Sequence, residues 1–126
     1  MKVTLKNFRK YQYASEFEFR RFTIFTGVNS IGKSTILKAI SVIGDSFWHD
    51  EILKLNLSGR NVKSHGVYSA ENVFNWDSKK RGFEVIISEG NIRLEIGYAE
   101  LRDNSIFINR LNIKSNISGN TLLKLR

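Results

Sequence analysis

Cysteine is absent from this chain of 126 residues, and histidine occurs at two positions, His49 and His65. The lack of cysteine excludes disulfide scaffolds, thiolate metal sites and cysteine nucleophiles. The two histidines lie far apart, and neither has a nearby partner for acid–base catalysis, so we interpret both as surface or core residues. We therefore expect neither redox chemistry nor a zinc site.

Long hydrophobic runs are also missing. Apolar stretches such as Val85–Ile87 span a few residues, whereas a membrane-spanning helix needs about 20. The amino-terminal sequence MKVTLKNFRK contains no apolar segment of the kind that a secretory signal requires. We therefore expect no membrane association and a cytoplasmic location.

Acidic residues are fewer than basic ones: 12 Asp and Glu stand against 20 Lys and Arg, which gives a formal net charge of +8. Such an excess favours polyanionic partners. The basic residues are dispersed apart from Arg20–Arg21 and Lys79–Arg81. We interpret Lys79–Arg81 as a solubilising loop, with contact to a phosphate backbone as the alternative. The composition, 41% hydrophobic and 25% charged, is typical of a globular protein, and the length allows one domain or part of one.

Hydrophobic periodicity predicts three strands in the first part of the chain. Val3 and Leu5 alternate with polar residues, and so do Phe17 and Phe19, which indicates a pair of strands. Phe22–Thr26 is rich in β-branched and aromatic residues, with bulk on both faces. We expect this third run to be a strand that is covered on both sides.

A helix is predicted directly after these strands. From Lys33 the hydrophobic period becomes that of an amphipathic helix, which Gly44 is expected to end. The apolar stripe consists of Ile36, Leu37, Ile40 and Ile43. Strand, glycine-containing loop and helix thus follow one another.

The last part of the chain predicts antiparallel strands. Phe83–Ser88 and Ile92–Tyr98 have β character, with Glu89–Asn91 as the turn between them. Ile106–Lys114 extends the pattern. An antiparallel meander is the expected result.

The loop before the predicted helix carries a recognisable motif. Gly27–Ser34 fits the pattern G-x-x-x-x-G-K-[ST] of a Walker A loop, or P-loop. A bound triphosphate loses water, so its site must supply converging N–H donors and a cation. Gly27 and Gly32 let the backbone turn tightly and approach the phosphates, while the helix N-terminus offers unpaired amides.

The side chains that follow the loop complete this prediction. Lys33 supplies a charge for the β- and γ-phosphates, and Ser34 offers a hydroxyl to Mg²⁺. Thr35 is placed to reach the α-phosphate. We predict that ATP and Mg²⁺ are bound by Gly27, Asn29, Ser30, Ile31, Gly32, Lys33, Ser34 and Thr35, with Ser34 as the metal ligand.

Leu5–Arg9 and Phe25–Ile40 resemble the amino-terminal lobe of the ABC-type ATPases of the RecF, SMC and OLD group. In that group a strand ending in Asn-Phe-Arg precedes a G-x-N-x-x-G-K-S-T loop and a helix ending in Leu-x-x-Ala-Ile. The more usual glycine and serine of the loop are replaced by Ser30 and Ile31. Because the phosphate contacts come from backbone amides, we expect this difference to alter loop stiffness more than the ligand.

The resemblance implies an α/β fold, the amino-terminal lobe of an ABC-type P-loop NTPase with an antiparallel β-subdomain, incomplete in this chain. The lobe would span residues 1–126. Its parts would be 1–44, with a β-hairpin, the P-loop and the helix, then 45–82, an irregular insertion with a candidate short helix at Glu51–Leu57, and 83–114, the antiparallel strands.

The same resemblance implies an ATP-binding and ATP-hydrolysing head that dimerises, or forms a higher oligomer, when ATP binds. It implies a role in DNA repair, chromosome maintenance or phage defence, with DNA and a bound or fused nuclease as partners. Two alternatives stay open: a nucleotide-gated binding or assembly module without efficient hydrolysis, and a small-molecule kinase or GTPase. The lack of an N-K-x-D guanine motif argues against the GTPase.

Two segments are similar to the further motifs that such ATPases need, and we reject both. Leu57–Arg60 is similar to the signature, and Val85–Glu89 to Walker B, but a serine stands where Walker B requires an aspartate. The glutamine of the glutamine loop is also missing, since Gln12 precedes the P-loop. We interpret Glu89 as a turn residue and Leu57–Gly59 as a helix end, and we expect Walker B and the signature outside this chain.

Arg9 and Tyr11 are further candidates for the site. The resemblance places residues of the loop after the first strand near the nucleotide or the DNA. The alternative is an exposed hairpin tip, and the sequence does not decide between the two.

Overall fold

The computed structural model describes residues 1–28, 32–47, 53–58, 63, 66–67, 69–115 and 121–125. Its strands form one antiparallel sheet in the order β2-β1-β3-β4-β5-β6. The elements are β1 (Lys2–Lys6), β2 (Ser15–Glu18), α1 (Lys33–Phe47), β3 (Gly82–Glu89), β4 (Ile92–Glu100), β5 (Ile106–Ser115) and β6 (Thr121–Leu125), with a 3-10 turn at Ala70–Asn72.

The predicted hairpins are confirmed. β1 pairs with β2 in antiparallel register, with Val3 opposite Phe17. β3 and β4 meet at a turn in which Gly90 has a φ of +55°, a conformation that glycine adopts without a steric penalty. β5 also lies where the meander was expected, whereas β6 was not predicted.

The core lies on one face of this sheet. Alternate residues of β1, β3 and β4 are buried there, and α1 contributes to the same hydrophobic cluster. Phe83 is central: its ring is stacked on Tyr98 with centroids 4.5 Å apart, and it packs edge-on against Phe8 at 5.2 Å. The sheet and α1 therefore share a core, and β1 with β3 joins the beginning of the chain to its later part.

The buried face of α1 differs from the predicted stripe. Leu37 and Ile40 are 49% and 40% exposed, because the helix turns Thr35, Ile36, Ala39, Val42, Ile43 and Ser46 inward instead. The buried hydroxyl of Ser46 donates to the Val42 carbonyl at 2.7 Å, which removes the cost of burying it. No helix among the described residues is long and apolar enough to cross a membrane.

Gly44 does not end the helix. α1 continues for three residues beyond it, to Phe47, and Gly44 does not take the positive φ of a helix-ending glycine.

The predicted strand at Phe22–Thr26 is wrong, because this segment has no strand structure. Side chains of high β propensity form a strand only when a neighbour supplies backbone hydrogen bonds, and in the described sheet β2 is the edge strand. Aromatic contacts hold the segment instead: the Phe25 ring lies 5.7 Å from Phe19 and 6.4 Å from Phe17.

The candidate short helix at Glu51–Leu57 is not formed over its described residues, 53–57. Lys54 makes an isolated antiparallel bridge with Phe107 of β5, and the Leu55 amide donates to the Ile106 carbonyl at 2.8 Å. Backbone pairing with the edge of β5 thus replaces helical hydrogen bonds. Leu57 and Ser58 consequently do not end a helix, and Gly59 lies outside the described residues.

An ion cluster on β4 predicts a pH-dependent stability. Glu95 accepts hydrogen bonds from Arg93 at 2.9 Å, Lys114 at 3.0 Å and Asn112 at 3.3 Å. These donors, Arg93 above all, lower the pKa of Glu95 from 4.5 to about 2. A carboxyl with a lowered folded-state pKa stabilises the fold above its unfolded pKa, and that contribution is lost as the pH falls from 4.5 towards 2.

We therefore expect Glu95→Gln to lower the free energy of unfolding at pH 7 by on the order of 1–2 kcal/mol. Denaturant unfolding at pH 7 and near pH 2 should show that the difference from wild type disappears in acid. Glu16→Gln is the control, because Glu16 forms an exposed ion pair with Lys2 and should matter little. An equal loss at both pH values would contradict the prediction.

Candidate functional site: the P-loop and its cavity

The P-loop leads directly into α1. Gly32 has a φ of +98°, and its carbonyl accepts the amides of Thr35 at 2.8 Å and Ile36 at 3.4 Å. This carbonyl closes the first helical turn, whereas the amides at the start of a helix have no intrahelical acceptor. The helix therefore presents N–H groups and the positive end of its dipole at Lys33 and Ser34.

A cavity of about 360 Å³ opens at this helix end. It is lined by Lys10, Phe25, Gly32, Lys33, Ser34, Thr35 and Leu37. Four of the eight predicted site residues thus meet in one cavity. Asn29, Ser30 and Ile31 lie outside the described residues.

Lys33 connects the two ends of the loop. Its ammonium donates to the carbonyl of Gly27 and, at 2.7 Å, to that of Val28. An ammonium has three N–H donors, so these two bonds leave one for a further acceptor. Gly27, which does not line the cavity, is in this way tied to the first turn of α1.

Ser34 and Thr35 differ in accessibility. Ser34 is exposed, so its hydroxyl is open to a ligand at the cavity. Thr35 is 3% exposed, and its amide is taken up by the Gly32 carbonyl. The hydroxyl is consequently the polar group that Thr35 retains for a ligand.

Three further cations belong to the cavity lining or to the segments next to it, and the sequence did not single out two of them, Lys10 and Lys38. Lys10 lines the cavity beside Lys33. Lys38, one turn further along α1, has a lowered pKa because of burial and the nearby charge of Arg9. Burial lowers the pKa of Arg9 as well. An anion in this region would offset the repulsion between these cations.

The structure places Arg9 and Tyr11 differently. The Arg9 guanidinium donates to the Asn72 carbonyl at 2.6 Å and does not line the cavity. Tyr11 is half-buried and contacts the P-loop, because its hydroxyl donates to the Gly32 carbonyl at 2.6 Å. Of the two candidates, Tyr11 is therefore the one joined to the predicted phosphate site.

The remaining sequence candidates that the structure describes do not line this cavity. The Glu89 carboxylate is 2.5 Å from the amino group of Met1. Arg81 pairs with Glu100 at 2.5 Å and lies over the Phe74 ring at 5.2 Å. His49 and His65 lie outside the described residues.

A cavity of about 610 Å³ opens beside β1, β3, β4 and β5. It is lined by Lys6, Asn7, Lys80, Arg81, Gly82, Phe83, Glu84, Gly97, Tyr98, Ala99, Asn109 and Arg110. Arg110 is paired with Glu84 at 3.2 Å. Among the described residues no ion pair engages Lys6 or Lys80, so the charge of these two lysines is available to an anion.

A family model described as AAA ATPase domain matches residues 1–125 of the chain. No curated protein matches the sequence.

Proposed function

The chain belongs to the AAA ATPase domain family, and from this premise we propose that it is the ATP-binding and ATP-hydrolysing head of a RecF-, SMC- or OLD-like ATPase. The observation that carries the proposal is the cavity at the N-terminus of α1, where Lys33, Ser34 and Thr35 meet. Helix amides, an ammonium and hydroxyls are the groups that replace the hydration of a polyphosphate. The cavity therefore offers the groups that binding of the ATP triphosphate requires, which supports the proposal.

Each residue has a distinct task in this proposal. The backbone amides of Gly27–Ser34 surround the phosphates. When ATP binds, the Lys33 ammonium gives up its hydrogen bonds to the loop carbonyls and donates to the β- and γ-phosphate oxygens instead. The exposed hydroxyl of Ser34 would hold Mg²⁺, which neutralises charge that develops on the phosphates. The hydroxyl of Thr35 contacts the α-phosphate, and Asn29, Ser30 and Ile31 contribute backbone groups.

We further propose that Walker B and the signature come from outside these residues, and that ATP closes a dimer or higher oligomer of heads. Exposed apolar side chains before and within the P-loop and along α1 support this proposal. They are Phe22, Ile24, Val28, Leu37, Ile40 and Phe47. Exposed apolar side chains can form interaction sites, and covering these in a larger ATPase would bring catalytic groups to the nucleotide.

The decisive experiment measures ATP binding, Mg²⁺-dependent hydrolysis and mass in solution, with and without ATP, on the full protein. We expect binding, turnover and an increase in mass with ATP. Binding without turnover above the Lys33→Ala background would favour the alternative, a nucleotide-gated binding or assembly module. Failure of the full protein to bind ATP would contradict both.

DNA is the partner that we propose for the larger cavity, in a role in repair, chromosome maintenance or phage defence that includes a bound or fused nuclease. The support is the net charge of +8 and the two lysines, Lys6 and Lys80, whose charge is available there. Phosphate contacts by lysine release counterions, which makes binding sensitive to salt.

Lys6→Ala combined with Lys80→Ala should therefore weaken DNA binding about tenfold and reduce the slope of log affinity against log salt by about 2. Fluorescence anisotropy with labelled duplex at several salt concentrations measures both quantities. The control is Lys2→Ala with Lys114→Ala, which removes the same charge from lysines already paired with Glu16 and Glu95. Equal effects of the two double variants would show that binding depends on overall charge alone.

A further inference from the structure

Tyr11 joins the loop after β1 to the P-loop. Its hydroxyl donates to the Gly32 carbonyl at 2.6 Å, the same oxygen that accepts the amides of Thr35 and Ile36. The carbonyl that precedes α1 thus accepts hydrogen bonds both from the backbone of the first helical turn and from the Tyr11 phenol. Its orientation fixes the peptide plane immediately before Lys33.

The Tyr11 ring also fills the space beside Gly32. A Cβ at Gly32 would lie 2.8 Å from the Tyr11 hydroxyl and 3.1 Å from its Cε1 atom. The ring packs against Phe17 with centroids 5.1 Å apart, and Phe17 in turn contacts Phe25 at 6.4 Å. Burial raises the pKa of Tyr11 above its usual value, so the hydroxyl remains a donor across the neutral range.

The backbone that carries Tyr11 is itself fixed. Tyr11 and Phe8 exchange backbone hydrogen bonds of 2.8 and 3.1 Å, and the Arg9 amide donates to Val73 at 2.9 Å. The side chain of Asn75 donates to the Arg9 carbonyl. A segment distant in sequence thus holds the loop from which Tyr11 reaches Gly32.

We propose that Tyr11 is a positioning residue of the P-loop. Gly32 has a φ of +98°, and because glycine has no Cβ, its backbone dihedral angles are less restricted than those of other residues. The Tyr11 hydroxyl supplies the missing restraint, so that the first-turn amides and Lys33 face the phosphates before ATP arrives. Fixing a loop in its bound conformation strengthens binding because less conformational entropy is lost on association. This inference rests on the proposed ATP binding.

The test compares Tyr11→Phe with Tyr13→Phe on the full protein. Tyr11→Phe keeps the ring and removes the hydroxyl; Tyr13 is 76% exposed, so Tyr13→Phe is the matched control. We expect Tyr11→Phe to weaken ATP affinity about three- to tenfold, as loss of one hydrogen bond predicts, and Tyr13→Phe to leave it unchanged. In a hydrolysing preparation, KM should rise with kcat retained, since Tyr11 touches no reacting atom.

The Tm of each variant without ATP shows whether the substitution lowers the general stability of the fold, which must be known before a change in ATP affinity is assigned to positioning. The affinities are compared at a temperature where all proteins are fully folded, and the ATP-induced rise in Tm should be smaller for Tyr11→Phe alone. Equal ATP affinity of wild type and Tyr11→Phe would overturn the inference and leave the proposed function intact. Equal losses in both variants would also overturn it. Absence of ATP binding by the wild type would instead overturn the proposed function.

Discussion

Lys33→Ala is expected to lower ATP affinity about 10- to 150-fold, because charge-assisted hydrogen bonds contribute about 1.5–3 kcal/mol. The truncation removes the Lys33 ammonium, which donates to the carbonyls of Gly27 and Val28. The β- and γ-phosphates would then face the helix end without their point charge. Titration calorimetry with Mg²⁺ and ATP measures the loss, and hydrolysis should fall with it.

Two comparisons isolate the role of the ammonium. Lys79→Ala removes the same charge from an exposed loop position outside the cavity and should leave ATP affinity unchanged. AMP, which lacks β- and γ-phosphates, should lose far less affinity for Lys33→Ala than ATP does. An equal loss for AMP and ATP would mean that the substitution disrupts the loop through its carbonyl contacts, and the assigned phosphate contact would be wrong.

The sequence predicts the parts of this fold that depend on local pattern. Alternation with a period of two identifies β1–β5, because successive residues of a strand point to opposite faces of the sheet. The P-loop motif predicts that Lys33 and Ser34 begin a helix, and α1 begins at Lys33. In both cases the signal lies within a few neighbouring residues, so a single sequence suffices.

Features that depend on distant partners could not be predicted in this way. Phe22–Thr26 has the composition of a strand, but whether it forms one depends on a neighbour that supplies hydrogen bonds. The buried face of α1 is shifted from Leu37 and Ile40 towards Ala39 and Ser46, because the surrounding core, not hydropathy alone, decides which residues point inward. Periodicity alone does not report such a shift.

The partners of the residues around the cavity could not be predicted for the same reason, although the resemblance made Tyr11 a candidate. Lys10 is separated from Lys33 by 23 positions in the sequence and Tyr11 from Gly32 by 21, and no local pattern connects them. The loop after β1 is held by the 3-10 turn and the residues that follow it, through Val73 and Asn75. The insertion between α1 and β3, which appears irregular in the sequence, thereby contributes to the position of the P-loop.

Gly32→Ala should be as damaging to ATP binding as the loss of Lys33, for two separate reasons. A φ of +98° is strained for any residue with a Cβ, at a cost of about 1–3 kcal/mol. The new Cβ would also lie 2.8 Å from the Tyr11 hydroxyl, so Tyr11 would have to withdraw from the carbonyl that it holds. We expect ATP affinity to fall at least about tenfold, measured by the same titrations.

Two other glycines separate these causes. Gly27→Ala introduces backbone strain at a φ of +134° but places its Cβ in open space. Gly44→Ala, within α1, introduces neither backbone strain nor a close contact. Gly44→Ala should therefore raise stability by about 0.5–1 kcal/mol without affecting ATP binding. Gly27→Ala should weaken ATP binding less than Gly32→Ala, since it leaves Tyr11 in place.

The double variant Gly32→Ala with Tyr11→Phe completes the argument. Removing the hydroxyl takes away the nearest contact, at 2.8 Å, whereas Cε1 and Cζ remain at 3.1 and 3.2 Å. The clash is then relieved in part and the backbone strain persists, so the double variant should lose less affinity than the sum of the single losses. Strict additivity would mean that the two substitutions act independently, so that Gly32→Ala does not weaken ATP binding by displacing Tyr11.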